Sequence, residues 1–357
     1  MPIKIFGKTE VRCVSCLAIA IAFWLTACAG GSAVGSTPRM LAAAGAIPPA
    51  DPGALVERVA TPTYANDSGN ATVFNAVNAL REKVGSGLLA QNAQLDQAAL
   101  AHHQYLNTSD FVNLHAETVG NPGYTGVDAT ARAKAAGYGA SSYIEEVVHG
   151  VNGAAKFAGC AASWANSIYH VGLFFSGMRD VGIAALATRK DPVFGKYTVC
   201  VVNFSKGASQ VEQLPEDGTI RVYPYPDQTR VPTVFYNHTE EPSPLPEYFE
   251  LGSPVTLNFK TKSFLAAGAK PAIVVDHLSI AMANGQPLGA RILVSPVGGI
   301  FSTRGPALQN DNQIAAFALT IVPVARMKPN TVYTVSFAGI VNGGALSKTW
   351  KFTTGER

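Results

Sequence analysis

Residues 113–117 read NLHAE, which places an imidazole, His115, two residues before a carboxylate, Glu117. Both side chains are common zinc ligands, and a histidine beside a carboxylate can also transfer protons in catalysis. A histidine at the edge of a hydrophobic core is the third interpretation. Glu117 is predicted to face solvent or to cap a turn. The elements around this segment decide which interpretation applies.

The elements that would position His115 begin near residue 70 and are helical. In ATVFNAVNALREKVG, the apolar residues recur at helical spacing, and Gly85 ends the helix. A second helix is predicted over 95–107, with His102 near the core and His103 at the surface. Two more are predicted over 128–139 and 154–170. In the last of these, Ser167 and His170 lie three residues apart, on one helix face.

Strands follow these helices. Residues 180–186 and 196–204 read as strands, so helices come first and strands return late, which indicates an α+β layered domain. After residue 207 the chain consists of short β-rich segments separated by Pro and Gly, with a hairpin at NGG (342–344) and a candidate short helical stretch at 311–319. A length of 357 residues favours two domains. We assign 208–218 as a linker and 219–357 as an immunoglobulin-like β-sandwich.

The N-terminus is predicted to be an export signal. Three basic residues precede the apolar run 14–25, which is shorter than the roughly 20 residues of a membrane-spanning helix. The run ends in LTAC (25–28), which resembles the lipobox of bacterial lipoproteins. This resemblance implies a signal peptide at 1–27, a diacylglycerol on Cys28 and a flexible tether over 28–66. Ala29 favours the outer membrane in a Gram-negative host. An ordinary signal peptide and an uncleaved anchor are the alternatives.

The net charge bears on the partners of the protein, and the cysteines bear on its disulfide bonding. The net charge is only +3 and no basic stripe is interleaved with aromatic residues, which argues against nucleic acid as a partner. Cys13 and Cys16 leave with the signal peptide. An exported protein folds in an oxidising compartment, so the remaining Cys160 and Cys200 are predicted to form a disulfide; two buried free thiols are the alternative.

Five segments carry a family resemblance. The helix pair VNALREKVGSGLLAQNAQLDQAALAHHQYL (77–106) resembles the opening of the CAP superfamily, the cysteine-rich secretory and pathogenesis-related proteins, in its bacterial branch. The other four follow in the family's order over about residues 70–207: LHAETVGNPGYTG (114–126), AGYGASSYIEEVVHG (136–150), SWANSIYH (163–170) and GKYTVCVVNF (195–204). The resemblance implies an α-β-α sandwich with a central cavity, here over 67–207.

The resemblance also implies a cavity site, and the chain fills it only in part. Many family members carry two His and two Glu there, a set that suits zinc. His115 fills the first histidine position and Glu146 a glutamate position, with Glu145 as the alternative after a one-residue shift. The second glutamate falls at Ser167 and the second histidine at Lys196. A protonated lysine has no lone pair for a metal.

His170 can compensate for the missing histidine. His115, Glu146 and His170 would form a three-ligand site for zinc or another divalent metal, with one position open. A hydrogen-bonded polar cluster that fixes a helix against the sheet is the alternative. Ser167 with a histidine and Glu146 supplies the residue types of a hydrolytic triad. However, Ser167 lacks a Gly-x-Ser-x-Gly elbow, so this assignment is disfavoured.

These patterns predict a lipid-anchored protein of the cell envelope. Because the site's usual residues are incomplete, binding or scaffolding at the cell surface is favoured over catalysis. The membrane is the partner through Cys28, and the candidate ligands are lipids, glycans or envelope proteins. The competing hypothesis is an envelope hydrolase that uses His115, Glu146 and His170.

Overall fold

In the computed structural model, the described residues are 51–108, 114–139, 145–152, 157–191, 195–265 and 271–356, without the side chains of 145–152, 187–191 and 195–197. All of them belong to one compact unit, residues 41–357. The predicted signal peptide, Cys28 and the first part of the predicted tether lie outside these ranges. Within them, no helix is long and apolar enough to cross a membrane.

The described part of the N-terminal half contains four α-helices and four strands. In chain order they are α1 (Gly69–Lys83), β1 (Ala90–Gln91), α2 (Ala93–Thr108), α3 (Ala129–Ala135), β2 (Glu145–Asn152), α4 (Ala158–Ala165), a 3-10 helix (His170–Phe175), β3 (Asp180–Asp191) and β4 (Gly195–Ser205). The strands form one sheet in the order β1-β3-β4-β2. The hydroxyl oxygen of Ser68 caps α1 by accepting from Ala71 N at 3.1 Å, and Gly85 follows the helix with φ of 77°.

Side chains that alternate along β3 and β4 pack against helices on both faces of the sheet, which gives three layers. Side chains of successive residues point to opposite faces of a strand. On one face, Ile183 and Val202 pack with Phe74 of α1 and Trp164 of α4. The opposite face packs against α2, as the contacts of Val201 illustrate. The predicted α-β-α sandwich is therefore confirmed.

The predicted disulfide is also confirmed. Cys160 of α4 is bonded to Cys200 of β4, with their Cα atoms 6.5 Å apart. Both residues are fully buried in the core between α1, α4 and the sheet. The bond ties α4 to a central strand of the sheet.

In its described residues, the C-terminal half is all β apart from two short 3-10 helices, Asn237–Thr239 and Lys262–Leu265. Its strands are β5 (Arg221–Tyr223), β6 (Gln228–Val231), β7 (Phe235–Tyr236), β8 (Glu250–Leu251), β9 (Val255–Asn258), β10 (Ile273–Met282), β11 (Ala290–Val294), β12 (Ile300–Phe301), β13 (Gln309–Asn310), β14 (Ala318–Pro323), β15 (Val332–Val341) and β16 (Gly344–Thr354).

Two five-stranded sheets, ordered β12-β10-β15-β16-β6 and β13-β11-β14-β9-β5, enclose one apolar core. β7 and β8 form a separate two-stranded ribbon. The predicted hairpin is present: Val341 pairs with Gly344, and Asn342 and Gly343 both have positive φ, as a two-residue turn of this type requires. The helical stretch expected at 311–319 is wrong; β14 begins there at Ala318.

The chain packs earlier than the predicted tether allows. Val59 is buried, Leu88 N donates to Val56 O at 2.8 Å, and the Tyr64 hydroxyl donates to Asp96 at 2.5 Å. Within the predicted linker, the fully buried Gln213 side chain accepts from Val56 N at 2.8 Å. Packed structure therefore includes residues on both sides of the predicted 67–207 range.

Buried side chains connect the N-terminal and C-terminal halves. Arg221 of β5 donates to the Ser86 hydroxyl at 2.9 Å and to Asn258 at 2.8 Å, and its guanidinium lies over the Phe175 ring. Burial lowers the pKa of Arg221 to about 9. Ile168, which follows α4, belongs to an apolar cluster whose other buried members come from the C-terminal half.

Candidate functional site

Two of the predicted site residues, His115 and His170, lie next to each other. His115 is exposed in the loop between α2 and α3, and His170 begins the 3-10 helix with its side chain 26% exposed. Their ring centroids are 6.3 Å apart and the rings are inclined by 23°. Two imidazoles from distant segments of the chain thus share one accessible surface.

The predicted fourth helix is shorter than the sequence pattern suggested. α4 ends at Ala165, so Ser167 and His170 do not share a helix face as expected. The Ser167 hydroxyl donates to Trp164 O at 2.8 Å and accepts from His170 N at 2.9 Å. Ser167 is buried and closes the turn after α4, with its hydroxyl proton in the bond to Trp164 O.

The other predicted positions, Glu146 and Lys196, lie on neighbouring strands. Glu146 of β2 is opposite Asn203 of β4, and Glu145 is opposite Phe204. Lys196 lies in β4, opposite Lys190 of β3. The side chains of Glu145, Glu146 and Lys196 lie outside the described part of the chain, so the choice between the two glutamates stays a prediction.

A carboxylate that the sequence pattern missed contacts His170. Glu240, in the C-terminal half, has its Oε2 3.2 Å from His170 Nδ1. Its Oε1 accepts from Ile168 N at 2.8 Å and from Tyr169 N at 3.2 Å. The Glu240 side chain is only 1% exposed. No periodicity or spacing relates residues so far apart along the chain, so nothing in the local sequence could have identified this pair.

The carboxylate of Glu117 is buried, so the predicted solvent-facing position is wrong, whereas its bonds to backbone N–H groups agree with the turn-capping alternative. Its Oε1 lies 2.9 Å from His102 Nδ1, and its Oε2 accepts from Thr125 N at 2.5 Å and Gly126 N at 3.1 Å. The Arg132 guanidinium lies 3.9 Å away. Glu117 therefore ties α2 and α3 to the loop that carries His115.

His102 and Arg132 extend this network. A carbonyl oxygen can only accept, so His102 Nε2 donates its proton to Leu114 O at 2.8 Å. A second proton lies in the contact between His102 Nδ1 and the Glu117 carboxylate. Arg132 donates to His115 O at 3.1 Å, which holds the backbone of the site residue directly. His103, predicted at the surface, is buried as well, and burial lowers its pKa below the ordinary 6.5.

Within the described ranges, no group of three or more His, Cys, Asp or Glu side chains is arranged to hold a metal ion. His115 and His170 supply two imidazoles, and the Glu240 carboxylate lies 3.2 Å from the Nδ1 of one of them. A carboxylate in that position orients an imidazole for metal binding or proton transfer. A third protein ligand would have to come from a side chain beyond those ranges, such as Glu146.

An exposed aromatic cluster lies close to Glu240 along the chain. It consists of Tyr236 of β7, His238 of the 3-10 helix that follows β7, and Phe249, which directly precedes β8. The His238 and Phe249 rings stack at 4.8 Å with an inclination of 11°, and Tyr236 approaches both at 6.0 and 6.3 Å. Phe249 is 67% exposed and Tyr236 39%. Because His238 precedes Glu240 by two residues, their Cα atoms lie within roughly 7 Å.

Charged groups border this cluster. Glu250 is opposite Tyr236 in the ribbon and forms a two-point ion pair with Arg326, with Arg326 Nε 2.5 Å from Glu250 Oε2. The hydrogen bonds from Arg326 hold the pKa of Glu250 below its ordinary value. The aromatic surface thus has an ion pair at its rim.

Comparison with known proteins identifies the N-terminal half. Residues 74–204 match the model of the cysteine-rich secretory protein family, CAP. Among solved structures, an outer surface protein from Borrelia burgdorferi is similar over 40% of this chain and 96% of that chain, with 16% sequence identity and a TM-score of 0.31. No curated protein matches the chain. The family match confirms the resemblance seen in the five sequence segments.

Proposed function

Because residues 74–204 belong to the cysteine-rich secretory protein (CAP) family, we propose that the chain is an envelope protein that binds glycan at the cell surface. The lipobox-like LTAC (25–28) supports attachment through a lipid on Cys28. The C-terminal β region then serves as part of the ligand-binding surface and not only as a spacer.

The aromatic cluster Tyr236, His238 and Phe249 carries the glycan assignment. Sugar rings present a C–H face that packs on aromatic rings and a rim of hydroxyls that forms hydrogen bonds. The cluster offers exposed ring faces, and the Tyr hydroxyl, the imidazole nitrogens and the Arg326–Glu250 pair supply polar partners around them. A purely apolar ligand such as an acyl chain would leave this charged rim without a partner.

Co-sedimentation with purified peptidoglycan sacculi tests this function. Phe249→Ala removes the most exposed ring, and we expect an affinity loss of about tenfold, equivalent to about 1.4 kcal/mol. Phe301→Ala is the matched control, because Phe301 is also exposed (44%) but lies on β12 in a different sheet. Equal binding by both variants would contradict glycan binding at the cluster. Retention of binding only on lipid vesicles would assign a lipid ligand instead.

Membrane fractionation tests the anchor separately. Cys28→Ser removes the sulfur that would carry the lipid, so the protein should move from the membrane fraction to the soluble exported fraction and lose label from radioactive palmitate. Unchanged membrane association of Cys28→Ser would contradict lipidation.

An envelope hydrolase is the second candidate, and the contact between Glu240 and His170 favours it. A carboxylate that orients an imidazole next to a second exposed imidazole is an arrangement found in acid–base and metal-assisted catalysis. If the chain is a hydrolase, sacculi incubated with it and zinc should release soluble fragments, and His170→Ala should abolish that release. Identical release by His170→Ala and the unsubstituted protein would exclude this site as its source.

A further inference from the structure

Glu240 is held in one orientation by two backbone donors. Its Oε1 accepts from Ile168 N and Tyr169 N, at 2.8 and 3.2 Å, in the turn between α4 and the 3-10 helix. Its Oε2 points to His170 Nδ1 at 3.2 Å. Only 1% of the Glu240 side chain is exposed, so water contributes little to its interactions and these contacts fix the position of the carboxylate.

We propose that Glu240 is a positioning residue that fixes the tautomer of His170, and that the His115–His170 site is therefore composite, complete only with the C-terminal half. An ionised carboxylate oxygen at 3.2 Å repels the lone pair of an unprotonated nitrogen and attracts an N–H group, so the nitrogen that faces Glu240 Oε2 carries the proton. A neutral imidazole has one donor nitrogen and one acceptor nitrogen. With the proton on Nδ1, Nε2 becomes the unprotonated nitrogen.

This tautomer gives the site a defined chemistry. An unprotonated Nε2 accepts a hydrogen bond from a hydroxyl group, or a proton from it, whereas an Nε2–H would only donate. Glycan hydroxyls are such donors, so the inference rests on the proposed function and extends the glycan-binding surface from the aromatic cluster to His170. The two sites are joined by the short segment between His238 and Glu240.

Further contacts fix the segment that carries His170 to the C-terminal half. The Tyr169 hydroxyl donates to Asp311 Oδ2 at 2.9 Å, and the Ser253 hydroxyl donates to Asn166 Oδ1 at 2.9 Å. Ile168 is buried among apolar residues of that half. These contacts surround the Glu240–His170 pair, so its geometry depends on how the two halves pack.

Glu240→Gln provides the test, because the amide has the same shape as the carboxylate but different donors. Its oxygen can still accept from Ile168 N and Tyr169 N, which leaves the amide NH₂ facing His170 Nδ1. Nδ1 must then accept, and the proton must move to Nε2. Glu241→Gln is the matched control, since Glu241 is the exposed neighbour.

The measurement is long-range ¹H–¹⁵N correlation NMR on the full chain with ¹⁵N-histidine, at about pH 8, where the ordinary histidine ring is neutral. The His170 signals are assigned by their absence in His170→Asn. We expect protonated Nδ1 in the unsubstituted protein and in Glu241→Gln, and protonated Nε2 in Glu240→Gln. Protonated Nε2 in the unsubstituted protein overturns the proposal, even if Glu240→Gln fails to fold. So does a folded Glu240→Gln protein that keeps the Nδ1 proton. No glycan is present, so this outcome is independent of the sacculus experiment.

Discussion

Replacing Glu117 by Gln should destabilise the protein strongly although it changes a single atom type. Glu117 lies under the His115 loop with only 4% of its surface exposed. Its carboxylate accepts from three nitrogens, those of His102, Thr125 and Gly126, at 2.9, 2.5 and 3.1 Å. The amide of Gln offers one acceptor oxygen and turns an NH₂ group towards whichever donors face its other end.

The magnitude follows from the groups left without an acceptor. If the amide oxygen faces Thr125 and Gly126, the NH₂ meets His102; if it faces His102, the NH₂ meets two backbone N–H groups. Each buried donor without an acceptor costs about 1–3 kcal/mol. Removing one partner of a buried ion pair, here with Arg132, costs about 3–5 kcal/mol. These contributions overlap, so we expect a loss of about 3–5 kcal/mol in the free energy of unfolding.

Urea unfolding followed by tryptophan fluorescence measures this loss, since Trp164 reports on the core beside the sheet. Glu241→Gln is again the control, and a surface change of this kind should stay within about 0.5 kcal/mol. Hydrogen exchange should also accelerate in the described part of the loop, 114–127, because Glu117 binds its backbone. A loss below about 1 kcal/mol for Glu117→Gln would refute the view that this carboxylate holds the His115 loop.

Two further predictions concern stability. Replacing Cys160 and Cys200 by Ala removes a cross-link between residues 40 positions apart, and the chain-entropy relation gives a cost of about 4 kcal/mol; urea midpoints that are equal with and without the bond would contradict it. Burial lowers the pKa of His103, so below about pH 6.5 the unfolded chain binds a proton that the folded one does not, and stability should fall as pH falls. His103→Gln should remove that part of the dependence in urea titrations between about pH 8 and pH 5, and an unchanged pH profile would count against it.

Local patterns in the sequence were sufficient for most of the architecture. The apolar repeat of Val73, Phe74 and Val77 identifies the face of α1 that the core covers, because that face follows from 3.6 residues per turn. Asn-Gly between two strands specifies the β15–β16 turn, since both residues must adopt positive φ. The disulfide followed from the predicted export and from the two cysteines that would remain after cleavage of the predicted signal peptide.

The end of α4 shows where local reasoning stopped. Residues 154–170 carry an unbroken helical apolar pattern, but the helix ends at Ala165. After it, Ser167 closes a turn, and the N–H groups of Ile168 and Tyr169 bind Glu240 in place of helical carbonyls. A carboxylate from another region thus competes successfully with the helix for these donors.

The sequence by itself determined the layers, the strand alternation, the covalent link and the position of His115. Only the tertiary structure decided the polar partners: that Glu117 lies buried on His102, and that Glu240 lies on His170. Burial of apolar side chains follows a period set by backbone geometry, so it can be read along the chain. A buried charge instead takes whichever donor the packing of distant segments brings within about 3 Å, and no local period records that choice.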